Sequence, residues 1–123
     1  MRYRLLALDI DGTVLDPAGE LRPAVRDAVQ DALRAGLRVV LCTGRRFRTA
    51  RPIAEALGLE GPLVLHNGAL VKDAASGATR QAIFLPEALV PEILDALQPH
   101  GPPLVYVDGW PGADFLTEAR TPG

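Results

Sequence analysis

Two aspartates, Asp9 and Asp11, lie two residues apart where the first apolar segment of the chain ends. Because successive side chains of a strand point to opposite faces, an extended chain would place both carboxylates on one side, about 6.6 Å apart. They would repel an anionic substrate, since a carboxylate about 4 Å from a phosphate dianion costs roughly 8 kcal/mol at an effective dielectric of about 20. The pair therefore predicts a divalent cation, and an all-oxygen site that also takes a phosphate oxygen favours Mg²⁺.

Short polar turns after the apolar segments contain groups that can bind the oxygens of a phosphate. Gly12 and Thr13 directly follow the aspartates, and turns of this kind offer backbone N–H groups to anions. Thr43 follows the second segment, where its hydroxyl can hold a phosphate oxygen, and Gly44 lets the backbone approach a ligand closely. Together with the aspartates, these turns predict a nucleophile, an acid/base group, a cation site and an anion site.

Three of the polar residues in these turns have two interpretations each. Arg45 can line the phosphate site or belong to a solvated arginine cluster on the approach to a helix. Asn67, after the third apolar segment, can orient a substrate or simply form the turn. Thr43 is either a phosphate ligand or a cap on the approach to a helix.

The elements that position these residues follow from the apolar pattern. Three short apolar runs, each closed by a polar turn, are typical of strands in a parallel sheet: residues 3–10, 37–42 and 63–66. Between them, apolar residues at helical spacing predict one helix over residues 23–35, and capping and terminating residues predict a second over residues 49–57. This order predicts a right-handed βαβαβ unit in an α/β fold with a doubly wound, Rossmann-like parallel sheet. We expect the first strand to be central and buried on both faces, and the polar turns to meet at the carboxyl edge, where such folds bind ligands.

Prolines restrict where the predicted helices begin. The second helix is expected to have Thr49 as its N-cap and Pro52 in its first turn, where the missing N–H is harmless. A later helix, over residues 89–97, starts near Pro91 or is kinked there.

The pattern changes after the third predicted strand. Residues 69–72 and 79–85 flank a polar loop and predict a β-hairpin, and residues 104–107 predict one more strand.

Composition excludes several classes of protein. With 123 residues, 48% of them hydrophobic and 23% charged, the chain is one globular domain or a piece of one. A formal net charge of −2 gives no basic excess to neutralise a nucleic acid backbone. The N-terminal apolar run stops at Asp9, and no run approaches the roughly 20 residues that span a bilayer. A single cysteine, Cys42, fits a reducing compartment, so we expect a cytoplasmic protein without nucleic acid or membrane partners.

Three segments of the sequence resemble a known family. DIDGT at residues 9–13 and LCTGR at residues 41–45 resemble motifs I and II of the haloacid dehalogenase (HAD) superfamily. LHNGA at residues 65–69, followed by a hairpin, is similar to its Cof-type branch, which inserts a large type IIB cap after the third strand. The resemblance implies that residues 1–68 are the N-terminal part of a HAD-like core and that residues 69–123 begin an α+β cap.

The same resemblance implies a mechanism. Asp9 would attack phosphorus to form an aspartyl phosphate, while Asp11 would protonate the leaving group and later activate water. Mg²⁺ would be held by the Asp9 carboxylate and the Asp11 backbone carbonyl, and Thr43 would bind the transferring phosphoryl group. The implied activity is that of a phosphohydrolase acting on phosphate esters of small metabolites, such as sugar phosphates.

The sequence also departs from the family pattern. A complete member has a lysine or arginine after the cap and an acidic pair on a fourth strand, and neither is found in place. Lys72 lies inside the predicted hairpin and is expected to be a solvated surface lysine, whereas Asp108 and Asp114 could imitate the acidic pair. We therefore expect the N-terminal half of a larger hydrolase, inactive alone, whose uncovered apolar surface favours self-association.

Two other classes of function remain to be weighed. A non-catalytic phosphate-binding or interaction domain would need only the anion-binding turns. A receiver-like signalling domain also has acidic residues after its first strand, but it needs a phospho-accepting aspartate after the third, where this chain has Asn67.

Overall fold

The computed structural model describes residues 2–117, which form two compact units divided between Ile83 and Phe84. The elements of the first unit are β1 (Leu5–Leu8), α1 (Pro23–Arg34), β2 (Arg38–Leu41), α2 (Phe47–Ala56), β3 (Pro62–Leu65), β4 (Leu70–Asp73) and β5 (Thr79–Ala82). Those of the second unit are α3 (Val90–Leu97), β6 (Val105–Tyr106) and β7 (Phe115–Leu116).

The first three strands run parallel, in the order β1-β2-β3. β1 pairs with β2 over four residues, with Leu5 opposite Arg38 and Leu8 opposite Leu41. A single parallel bridge joins β2 to β3, and the Thr43 N–H donates to the Val64 carbonyl at 2.9 Å. This arrangement confirms the predicted α/β class with a Rossmann-like parallel core.

β3 also begins an antiparallel sheet, in the order β3-β4-β5. The β4–β5 hairpin was predicted, whereas the pairing of β3 with β4 was not, because the two strands are joined by only a short turn, His66–Gly68. Within that turn His66 has φ 49° and Asn67 has φ 57°, both in the left-handed region. Because β3 and β4 flank this turn and pair with each other, the conformation of His66 and Asn67 is tightly constrained.

The apolar core lies around β2, β3 and α2. Leu41, Leu63 and Leu65 are at most 1% exposed, and Ala50 and Ala54 of α2 are fully buried. α2 contacts β3 directly. These elements hold the turns after β2 and β3 in place.

The prediction that the first strand is buried on both faces is wrong for these residues. β1 alternates between exposed and half-buried positions, and Leu5 is 55% exposed. Within residues 2–117, β1 pairs with β2 alone, so its other edge carries no strand. Beside it is an open apolar groove of about 320 Å³, hereafter the β1–α1 groove, whose lining includes Leu6, Leu8, Val14, Val25, Ala28 and Val29.

The N-cap of α2 is Arg46, three residues before the predicted Thr49. Phe47 is 3% exposed and Ala50 is fully buried, so packing draws the first turn into the core. The Thr49 hydroxyl donates to the Arg46 carbonyl at 3.2 Å, and Pro52 lies inside the helix rather than in its first turn. The helix continues past this proline at the cost of one backbone hydrogen bond.

Lys72 is buried, contrary to the expectation of a solvated lysine. It is 3% exposed, because the alternation along β4 places it on the same face as the buried Leu70. Its ammonium donates to the Thr79 hydroxyl at 2.9 Å and lies 5.5 Å from the centre of the Phe47 ring.

The second unit contains the predicted helix and a short hairpin. α3 has Pro91 in its first turn, which confirms that the helix begins near that proline. β6 pairs antiparallel with β7, a strand the sequence did not predict, since two residues carry too little pattern. No helix within residues 2–117 is long and apolar enough to cross a membrane.

Candidate active site

The two aspartates stand on either side of a buried anchor at the end of β1. Ile10 is fully buried, and its carbonyl accepts the N–H groups of Val14 at 3.0 Å and Leu15 at 2.9 Å. The chain therefore turns at once. The carboxylate spacing of about 6.6 Å, which assumed an extended chain, no longer applies. Both aspartates are exposed, and the Ile10 N–H donates to Asp9 Oδ1 at 2.8 Å.

The turn after the aspartates depends on a glycine. Gly12 has φ +78°, in the left-handed region, where a side chain would be strained although no atom lies within 4 Å of the place a β-carbon would take. The Thr13 N–H donates to the Ile10 carbonyl at 3.3 Å, a long hydrogen bond. An anion that binds this N–H competes with that bond.

Asp11 forms a two-point ion pair with Arg45. Arg45 Nε lies 2.9 Å from Oδ2, and the second nitrogen lies 2.6 Å from Oδ1. The hydrogen bonds from Arg45 lower the pKa of Asp11, and the same carboxylate raises the pKa of the guanidinium. The arrangement holds Asp11 ionised and joins the turn after β1 to the turn after β2.

Thr43 is positioned by both of its neighbouring strands. It is 5% exposed, and its N–H is bonded to the Val64 carbonyl of β3. Its Oγ1 accepts the N–H of Arg45 at 3.1 Å. The hydroxyl proton is then the group it could donate to a phosphate oxygen.

The turn after β3 is bonded to the turn after β2. The Asn67 N–H donates to the Thr43 carbonyl at 3.1 Å, and the His66 N–H donates to the Arg45 carbonyl at 3.2 Å. A β-carbon on Gly44 would lie 3.0 Å from Asn67 Oδ1. These residues therefore form one connected network.

The structure thus groups the predicted residues by their turns. Asp9, Gly12 and Thr13 lie on the turn after β1, and the Asp11–Arg45 pair connects that turn to the turn of Thr43 and Gly44. The local sequence had indicated that Arg45 could line the site, but not that it pairs with Asp11. The only signal was two opposite charges at the ends of neighbouring strands.

The donor set suits Mg²⁺ in kind but not in number. The carboxylates of Asp9 and Asp11 and the backbone carbonyl of Asp11 are hard oxygen ligands, which Mg²⁺ prefers. Within residues 2–117, however, no cluster of three or more His, Cys, Asp or Glu side chains could hold a metal ion. Asp9 and Asp11 alone are a partial ligand set.

A family model of haloacid dehalogenase-like hydrolases matches residues 6–110. The chain is 32% identical over 109 residues to the pyridoxal phosphate phosphatase YbhA of Escherichia coli, covering 88% of this chain and 40% of that protein. It is 37% identical over 92 residues to the HMP-PP phosphatase of Serratia proteamaculans, covering 75% and 33% respectively.

Solved structures agree with the sequence relatives. A haloacid dehalogenase-like hydrolase from Bacteroides thetaiotaomicron has a TM-score of 0.77 at 26% identity, over 96% of this chain and 44% of that one. The HAD subclass IIB sugar phosphatase BT4131 shares the fold, with a TM-score of 0.71 at 20% identity, over 85% and 40%. The chain thus spans less than half the length of these relatives.

Proposed function

The chain belongs to the haloacid dehalogenase-like hydrolases, and on that premise we propose that it supplies the nucleophile of a Mg²⁺-dependent phosphohydrolase acting through an aspartyl phosphate. The observation that carries the proposal is the joining of the turn after β1, with its two exposed aspartates, to the Thr43 turn through the Asp11–Arg45 pair.

Asp9 is the residue we assign as nucleophile. It follows β1 directly, and the Ile10 N–H orients its carboxylate through Oδ1. Attack by Oδ2 forms an oxygen–phosphorus bond while the bond from phosphorus to the leaving oxygen breaks. Water then attacks phosphorus in the aspartyl phosphate, which regenerates the carboxylate and releases inorganic phosphate.

Asp11 is the residue we assign as general acid and base. While Arg45 binds it, the carboxylate is held ionised, the form that accepts a proton from water. A phosphate dianion competes for the Arg45 guanidinium, since Arg binds phosphate with the same two-point geometry as carboxylate. Once the arginine has moved to the phosphate, the nearby dianion favours the protonated form of Asp11, and that proton is the one it gives to the leaving oxygen.

The phosphoryl oxygens are assigned to the neighbouring turns. The Thr43 hydroxyl and the N–H groups of Gly12 and Thr13 are donors of the kind that bind phosphate. Because Gly44 has no side chain, the backbone beside Thr43 can approach a phosphate closely. Asn67 Oδ1 lies 3.0 Å from the position that a Gly44 β-carbon would take. The Asp9 carboxylate and the Asp11 backbone carbonyl would hold Mg²⁺, which would neutralise charge on the phosphoryl group.

The proposed substrate is the phosphate ester of a small metabolite, such as a sugar phosphate. Relatives named as phosphatases of pyridoxal phosphate and of HMP-PP support this class. In this proposal, residues 1–68 belong to the catalytic core, residues 69–123 begin the cap, and the protein works in the cytoplasm. A panel of phosphate esters that showed preference for phosphoprotein or nucleic acid would overturn the substrate class.

The chain alone is expected to be a poor catalyst that self-associates. Its partial metal-ligand set would bind Mg²⁺ weakly, and the β1–α1 groove leaves apolar surface exposed. The same partial set favours a second candidate function, that of a phosphate-binding domain without catalysis.

Replacing the nucleophile separates the two functions. Asp9→Asn in the full-length protein should reduce Mg²⁺-dependent hydrolysis of p-nitrophenyl phosphate on the order of 10³-fold or more, because an amide cannot form the acyl phosphate. Asp27→Asn, on the exposed face of α1, is the matched control and should leave turnover unchanged. An Asp9→Asn protein that retained substantial turnover would exclude the assigned nucleophile, and wild-type binding without turnover would favour the second function.

A further inference from the structure

Asn67 lies against the turn that carries Thr43 and Arg45. We propose that Asn67 is a positioning residue that acts through Gly44: its carboxamide lies beside the space that a Gly44 β-carbon would take and fixes the turn that orients the Thr43 hydroxyl and the Arg45 guanidinium. This inference rests on the proposed function for its kinetic consequence, but the contact itself can be tested without turnover.

The first argument is that the backbone around Asn67 adopts an unfavourable conformation. His66 and Asn67 are consecutive non-glycine residues with φ 49° and 57°. Non-glycine residues rarely adopt positive φ values, although Asn tolerates them better than most residues. In this conformation the two N–H groups reach the Arg45 and Thr43 carbonyls at 3.2 and 3.1 Å. The left-handed pair therefore binds one turn to the other.

The second argument comes from two glycines that are present for opposite reasons. Gly12 needs its left-handed φ of +78°, and no atom lies within 4 Å of its β-carbon position. Gly44 has no positive φ, but its β-carbon position lies 3.0 Å from Asn67 Oδ1 and 3.5 Å from both Cγ and Nδ2. A β-carbon at position 44 would therefore crowd the Asn67 side chain, whereas the local backbone does not call for glycine.

The third argument is what the fixed turn holds. Thr43 Oγ1 accepts the Arg45 N–H at 3.1 Å, and the Arg45 guanidinium reaches across to Asp11. Both side chains leave the turn on which Asn67 packs. A turn that could relax over Gly44 would loosen both groups at once, and these are the groups assigned to bind phosphate.

The test is a double-mutant cycle between Asn67 and Gly44 in the full-length protein. Asn67→Gly removes the carboxamide and keeps the left-handed backbone without strain. It should raise KM for p-nitrophenyl phosphate, and the inhibition constant of inorganic phosphate, by about tenfold. It should change kcat by less than about threefold, because the lost effect is on binding.

The second arm of the cycle uses the crowding at Gly44. Gly44→Ala should also raise KM, because the new methyl group pushes against Asn67 Oδ1. The double variant should then be no worse than Asn67→Gly alone, since the obstructing side chain is gone. Gly61→Ala is the matched control, because Gly61 has no positive φ and no atom within 4 Å of its β-carbon position.

Each result decides the proposal. If the two single effects on KM multiply in the double variant, the proposal is overturned in favour of a direct substrate contact by Asn67. If KM is unchanged in Asn67→Gly, it is overturned in favour of no role for this side chain. If the wild type shows no turnover, the proposed function fails by itself, and the cycle is measured by urea unfolding and by the amide resonance of Arg45. Rescue of Gly44→Ala stability by Asn67→Gly, with the Arg45 resonance shifted by the Asn67 change, supports the inference; additive stability effects or an unmoved resonance overturn it.

Discussion

The β2–β3 side and the β1–α1 side of the first unit are built from similar apolar residues but differ in burial. β2 and β3 share the same alternation, with Leu41, Leu63 and Leu65 at most 1% exposed. β1, with the sequence LLAL, is at best half-buried, and Leu5 is 55% exposed. Hydrophobicity is equal or greater in β1, so burial is decided by the neighbouring elements and not by composition.

The difference matters because the candidate site draws on both sides. Backbone hydrogen bonds between the turns that follow β2 and β3 join Thr43 to Asn67 and Arg45 to His66. Asp9 and Asp11 follow β1, and Asp11 is joined to the other side through the Arg45 guanidinium. Thr43, the side chain assigned to bind phosphate, is therefore firmly placed, while the assigned nucleophile depends on the strand with an uncovered edge.

The largest expected effect comes from deleting leucine side chains on the two sides. Leu65→Ala should lower the free energy of unfolding by about 2–5 kcal/mol, because a fully buried leucine leaves a cavity. Leu5→Ala should lower it by less than about 1 kcal/mol, since most of that side chain is already in water. Urea unfolding of both variants measures the difference, and equal losses would show that β1 is covered in solution.

The second expected effect concerns what covers the β1–α1 groove. Val25→Lys places a charge in the apolar lining and should weaken self-association at least about tenfold, since burying an unpaired ammonium is unfavourable. Ala35→Lys adds the same charge at an exposed position just after α1 and is the control. Light scattering over a concentration series gives both values, and a wild type that stays monomeric at all concentrations would contradict the prediction.

Local pattern was enough to predict most elements of the fold. The parallel order of the first strands, the β4–β5 hairpin and the presence of α3 all follow from apolar spacing and turn residues, whereas the start of α3 near Pro91 was one of two interpretations. The start of α2 did not, because burial of Phe47 outweighed the preference for Pro52 in a first turn. Propensity is a weak guide where packing competes with it.

The candidate site was less predictable because its contacts are long-range. The turn residues could be named, since each follows an apolar segment, but Asp11 and Arg45 pair across 34 positions. The buried state of Lys72 was likewise missed, because it follows from the register of β4 and the position of the Phe47 ring. Such contacts depend on which strands become neighbours, which a local pattern does not contain.

The smallest expected effect tests an ion pair in the hairpin that extends the β2–β3 side. Asp73 Oδ1 accepts the N–H and the hydroxyl of Ser76, each at 3.0 Å, and Oδ2 accepts from Arg80 at 2.5 Å. The Arg80 hydrogen bond, followed by those from Ser76, lowers the pKa of Asp73 from 3.8 to about 2. A carboxyl group whose pKa is depressed by folding stabilises the protein above its unfolded pKa, and this contribution is lost as the pH falls through the folded value.

Asp73→Asn should therefore be less stable than the wild type at pH 6, and the gap should close between about pH 4 and pH 2. The gap should be smaller than the effects above, because exposed ion pairs contribute little to stability. Urea unfolding across this pH range measures it, with Asp27→Asn as the baseline for removing an exposed carboxylate. If the gap persisted unchanged at pH 2, the hairpin would owe its stability to the shape of the Asp73 side chain and not to its charge.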